Sequence, residues 1–148
     1  MTPQDLLALK AELTNDPLGL GLTTNPADDE ANANLLNEVR VTIQVDREVI
    51  PISDMVKAID RDEFNALSSA DRSWLQFITQ GGSVNPRAGS EVREGFLQLF
   101  GVGTESRTNL QALLTEPGNR ITQLYKAGTL SVGGNVSPSD IANARQAT

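Results

Sequence analysis

Apolar residues recur mostly three and four positions apart along this chain, the spacing of one face of an α-helix. Leu6, Leu9 and Leu13 follow Thr2-Pro3-Gln4-Asp5. That opening supplies a capping threonine, a proline at the first helical position and an acid where a capping box takes one. The residue before Pro17 is held out of the helical region, so the first helix is predicted to stop at Asn15 or Asp16. Asn25-Pro26 repeats the start. There Asp28, Asp29 and Glu30 suit the helix dipole, and Leu35, Leu36 and Val39 form the apolar face. Further starts are predicted at Ser53 (ahead of Met55, Val56 and Ile59), Asp60 (Phe64, Leu67) and Ser68 (Trp74, Leu75, Ile78). Gly81-Gly82 ends the last of these. Val92, Phe96, Leu97 and Phe100 mark a helix stopped by Gly101, and Thr104 starts another through Leu110, Leu113 and Leu114, interrupted at Pro117-Gly118. Ile121, Leu124 and Tyr125 follow, and Ser137-Pro138-Ser139-Asp140 caps a final helix with Ile141 and Ala144.

One segment keeps a period of two. Val39, Val41, Ile43 and Val45 alternate with Arg40, Thr42, Gln44 and Asp46, which reads as a half-buried strand. Val49 and Ile50 offer a short return before Pro51, a residue that belongs on an edge or a strand end. The expected fold is therefore mainly α, a compact bundle of short helices with one minor β-strand or hairpin near residues 39–50. No linker divides the chain, and a single domain, 1–148, is expected. The strand doubles as a candidate interaction surface through Val41, Ile43 and Val45, because an exposed edge is a template for another chain.

The stretch TNDPLGLGL, residues 14–22, stands apart from the helical pattern. Leu18, Leu20 and Leu22 alternate with glycines just after a helix-ending proline. They are candidates either for a clasp on the protein's own core or for an exposed docking hook. The clasp is the expectation, since three clustered leucines on an acidic surface would invite aggregation.

Composition narrows the chemistry. The 148 residues carry 19 acids against 12 bases, a net charge of -7, and the arginines are scattered singly from Arg40, Arg47, Arg61, Arg72 and Arg87 onward. Nucleic acid and anionic membranes are thus not expected partners, because both call for a basic patch. There is no cysteine and no histidine. This excludes disulfides, thiolate metal sites and cysteine nucleophiles, and removes the commonest neutral-pH base. The N-terminus lacks the pattern of a signal peptide, and no stretch approaches the ~20 apolar residues of a membrane span. Synthesis in the cytosol is the expectation.

The remaining motifs read as helix ends. Gly19-Leu20-Gly21 and Gly101-Val102-Gly103-Thr104 lack the strand, helix and third glycine of a dinucleotide loop. A calcium loop opened at Asp60 would set Phe64 where an oxygen ligand belongs and Asn65 where glycine belongs. No spacing singles out a catalytic carboxylate pair, and neither S-x-x-K nor G-x-S-x-G is present. Trp74 falls on a helix face with Leu75 and Ile78 and is expected in the core. No catalytic residue, metal, cofactor or small-molecule ligand is expected.

Taken in order, LKAELTNDPLGLGL, REVIPISDM, FLQLFGVGTESRTNL and NVSPSDIANAR resemble a family of small uncharacterised proteins of tailed bacteriophages, often encoded among virion structural genes. The likeness spans nearly the whole chain. It departs at Leu22, where an aromatic is expected, and at Tyr125-Lys126, where an aromatic-glycine pair is expected. The resemblance implies a phage protein of the virion or its assembly, and the leading expectation is a non-enzymatic virion accessory, a head, neck or tail component made in the host cytoplasm and docked to other phage structural proteins in several copies. A non-virion assembly chaperone or host-protein inhibitor is the alternative, and a small carboxylate-dependent hydrolase the second alternative.

Overall fold

The computed structural model describes residues 1–86 and 90–148. Arg87, counted above among the scattered arginines, lies outside the described residues. Among the described residues the chain is mainly α-helical, with nine short α-helices and a minor β component. None of these helices is long and apolar enough to cross a membrane. The segment 1–148, expected as a single domain, contains two compact units: Met1–Val45 with Pro117–Thr148, and Asp46–Glu116.

The first unit joins the two ends of the sequence. It holds α1 (Pro3–Asn15), a 3-10 turn (Pro26–Asp28), α2 (Asp29–Asn37), α8 (Arg120–Lys126) and α9 (Pro138–Gln146). α9 packs on both α1 and α2. Their apolar faces bury Leu9, Leu13, Leu36, Ile121, Leu130 and Ile141 in one cluster. Burial of such faces, rather than intrinsic propensity, is what sustains helices of two or three turns. The capping box predicted at Thr2 is present, and its acid does more than cap. Asp5 accepts from the Thr2 amide (2.8 Å) and also from the Ser131 amide and hydroxyl (both 2.7 Å). Those bonds, that from the Ser131 amide foremost, hold the buried Asp5 carboxyl far below its ordinary pKa. Two bidentate ion pairs also join distant parts of the sequence: Arg120 with Glu12 (2.8 and 2.7 Å) and Arg145 with Asp29 (2.9 and 2.6 Å).

The second unit holds β2 (Ile50–Pro51), α3 (Ile52–Ala58), α4 (Arg61–Ala66), α5 (Ser69–Thr79), β3 (Ser83–Val84), α6 (Glu91–Leu99) and α7 (Glu105–Leu113). Its cluster is built on Ile50, Met55, Leu75, Phe96, Phe100 and Leu110. Trp74 packs against this cluster as expected, edge-on to Phe96 with ring centroids 6.0 Å apart. A Cβ at Gly95 would stand 2.2 Å from the indole. That close approach is why a glycine sits inside α6.

The strand is where it was expected, as β1 (Arg40–Asp46), but its pairing is not. Its partner is β4 (Thr115–Gly118), in a segment read above as an interrupted helix. Pro117 is tolerated there because an edge strand does not need every amide. Ile50 and Pro51 do not return to β1. They pair antiparallel with Val84 and Ser83, where Ile50 and Val84 are both buried in the second cluster. The β component is therefore not confined near residues 39–50.

Two helix ends also differ from expectation. Ser53 does not cap α3, which starts at Ile52 without a side-chain cap, the Ile52 amide being taken by the Gly82 carbonyl (3.1 Å). Phe100 lies past the end of α6 in extended backbone, and Arg107 donates to its carbonyl (3.2 Å) and to that of Leu97.

Two measurements check this account. Asp5→Asn is expected to lower the melting temperature at pH 7, since a hydrogen bond to a charged group contributes about 1.5–3 kcal/mol. Because the folded-state pKa is lowered, that stabilisation is complete above the ordinary value of 3.8 and is lost as pH falls through the folded one. The gap between variant and parent melts should narrow in acid. Gly95→Ala is expected to cost about 1–3 kcal/mol, as overpacking does, by denaturant titration.

Candidate functional site

The structure divides the three leucines of the opening loop. Pro17 ends α1 as predicted, with Asp16 in the left-handed conformation at the C-cap (φ 37°). The Asp16 carboxylate then accepts from three successive amides, those of Leu20 (2.8 Å), Gly21 (2.8 Å) and Leu22 (3.3 Å). Gly19 and Gly21 have φ of +63° and +88°, conformations that side chains disfavour, and they bring those amides round the acid. Leu22 is thereby set into the first cluster at 9% exposure, Leu20 is half-buried against it, and Leu18 remains 45% exposed. Beyond the loop, the buried Asn32 side chain accepts from the Thr23 amide (3.0 Å) and donates to the Thr23 carbonyl (2.8 Å), as a neighbouring strand would. Sequence reading missed both Asp16 and Asn32. For Asp16 the available signal was an acid between a helix end and a proline.

β1 is divided as well. Ile43 (2% exposed) and Val45 are buried, and Val45 lies so close to Gly118 that a Cβ there would come within 2.6 Å. Val41 is 78% and Val39 64% exposed. The expected apolar face is thus core in its second half and open surface in its first. The Arg47 amide, just past β1, donates to the Leu114 carbonyl, just before β4 (2.9 Å). Backbone polar groups alternate between the two edges of a strand. β4 takes one edge of β1, and the other is its outer edge. Among the described residues no strand pairs on that edge, and no backbone bond runs from Thr42 or Gln44 to a turn or loop. Arg40 lies beside it, ion-paired with Glu38 but with a buried Nε that has no partner.

Two clefts open on the Asp46–Glu116 unit. One, of about 450 Å³, is lined by Asp71, Trp74, Glu91, Glu94, Gly95 and Gln98 among others. Its acids Asp71, Glu91 and Glu94 stand in the first turns of α5 and α6, where helix dipoles favour them. The other, of about 330 Å³, is mainly apolar, between Met55, Val56, Ile59, Phe64 and Leu75. Among the described residues no three acids converge as metal ligands do. No protein-family model, curated protein or solved structure matches the chain.

The division of the leucines has a direct test in thermal or denaturant melts of single alanine variants. Leu22→Ala is expected to cost about 2–5 kcal/mol, as truncation of a buried leucine does. Leu18→Ala should stay within about 0.5 kcal/mol, the range of surface changes. Leu20→Ala should fall between them.

Proposed function

We propose that this protein is a non-enzymatic accessory of a tailed-phage virion, a head, neck or tail component that docks to neighbouring structural proteins in several copies. The observation that carries the reading is the outer edge of β1, on which no strand pairs among the described residues and beside which Val39 and Val41 are exposed. Such an edge accepts an added strand through main-chain hydrogen bonds, with side chains supplying specificity. The phage setting is supported by the resemblance alone. The exposed Leu18 offers the same partners an additional apolar contact.

Mass spectrometry of purified particles of the encoding phage tests this reading, which expects the chain in a fixed ratio to the major structural proteins. Thr42→Pro is the sharper variant. Thr42 is exposed and its amide bonds to no turn or loop among the described residues, so proline there should leave folding nearly unchanged and block strand addition. Ile43→Lys would instead place a charge in the core. Thr42→Pro is expected to lower incorporation by at least about ten-fold, the loss that goes with 1.4 kcal/mol. Absence of the parent chain from particles, or normal incorporation of Thr42→Pro, overturns the proposal.

A further inference from the structure

We propose that the apolar cleft of the Asp46–Glu116 unit binds a small amphiphilic carboxylate. Its aliphatic chain would lie on Met55, Ile59, Phe64 and Leu75, and its head group would meet Arg61. The inference goes beyond the docking reading above and does not depend on it.

The cleft lies between the consecutive helices α3, α4 and α5, so no single motif in the sequence announces it. Met55 and Leu75, both buried in the second cluster, form its floor, and the partly buried Ile59 and Phe64 stand beside them. Ligand sites of proteins are concave and mostly apolar, with a few polar groups that fix orientation. A volume of about 330 Å³ has room for about ten non-hydrogen atoms, at roughly the 30 Å³ that a water molecule takes in the liquid. That suits a short acyl chain, and the unbranched thioether of Met55 adapts to a flexible one.

The polar lining chooses the head group. It consists of Arg61, Gln76 and Thr79. The Thr79 hydroxyl already donates to the carbonyls of Leu75 (2.9 Å) and Gln76 (3.0 Å). Arg61 and Gln76 are exposed, and among the described residues their side chains make no bond. Both therefore hold free N–H donors, and a carboxylate only accepts. A chain of net charge -7 presents one positive charge and no acid in this lining. Asp60 and Asp62 flank Arg61 in sequence but lie outside the lining, and the Asp60 carboxylate is taken by the amides of Asp62 (2.9 Å) and Glu63 (3.0 Å). Arg61 also opens α4, where the helix dipole disfavours a cation, and no ion pair offsets that cost. A residue that breaks a local rule without local gain is expected where a site needs it.

Calorimetry and methionine-methyl NMR on the purified chain, with octanoate as the probe, test the site. One octanoate should bind saturably. Of the two methionines, the methyl signal of Met55 should move and that of Met1 should stay. Octyltrimethylammonium carries the same chain with the opposite charge and should bind at least about ten-fold more weakly. Arg61→Glu should reverse that order and take the cation in preference to octanoate. The position is exposed and an acid suits the first turn of a helix, so the fold should persist. Arg61→Gln, which removes the charge alone, should weaken octanoate and narrow the gap between the two probes. Absence of saturable octanoate binding, a Met55 signal that does not respond, or an order of preference unchanged in both Arg61 variants overturns the proposal. So does a peptide ending in leucine that shifts Met55 where octanoate does not, since the cleft would then take a chain terminus.

Discussion

A helix leaves the amides of its first turn without intrahelical partners, and a chain cut into short helices and tight loops multiplies such unpaired donors. In this protein carboxylates, amides and hydroxyls of side chains meet that need, and much of the tertiary structure follows from which donor each one reaches. Asp5 serves Thr2 and reaches Ser131; Asp16 gathers Leu20, Gly21 and Leu22. Asp60 takes the amides of Asp62 and Glu63, while the Glu63 carboxylate takes those of Glu105 and Ser106 at the start of α7. Ser106 returns the bond by accepting from the Asp60 amide. Asn37 both accepts from the Val136 amide and donates to its carbonyl. Some of these links shape a helix start or a loop locally and others, from Asp5 to Ser131, Glu63 to α7 and Asn37 to Val136, fix it against a distant segment.

The same constraint accounts for an acidic composition that otherwise looks like a search for a ligand. Asp5, Glu63 and Asp140 all have carboxyl pKa values held low by bonds from serine or threonine and from backbone amides. A carboxylate stabilised this way is tied to the fold and is poorly suited to exchanging protons near neutral pH. Within the acid runs Asp28 accepts from the Thr23 hydroxyl, Asp29 pairs with Arg145, Asp60 caps α4 and Glu63 takes the amides at the start of α7. The opening puzzle of TNDPLGLGL resolves here too. Its glycines let a short chain segment wrap the Asp16 carboxylate, and burial of Leu22 follows from that wrapping.

Local chemistry was readable in the sequence, and pairing at a distance was not. The caps at Thr2, Asn25, Asp60, Ser68, Thr104 and Ser137 are present as their spacing implies, because an N-cap is a matter of three or four adjacent residues. β1 was legible from its period of two. β4 was not, since Thr115-Glu116-Pro117-Gly118 carries no alternation and is a strand only because β1 lies beside it. The split of the candidate surface was equally hidden. Leu18 and Leu22, or Val41 and Val45, are chemically alike, and their different exposure is decided by partners such as Gly118 that lie far along the sequence.

Among the described residues no strand but β4 pairs with β1, and its outer edge is what the functional account rests on. Residue-resolved hydrogen exchange addresses it most directly. In the free protein the amides of the exposed Thr42 and Gln44 should exchange rapidly while those of the buried Ile43 and Val45 are protected. Incorporation into particles should slow Thr42 and Gln44 and leave the other two nearly unchanged. Protection of Thr42 and Gln44 equal to that of Ile43 and Val45 in the free protein would mean that the edge is already covered within the chain, and would contradict the account.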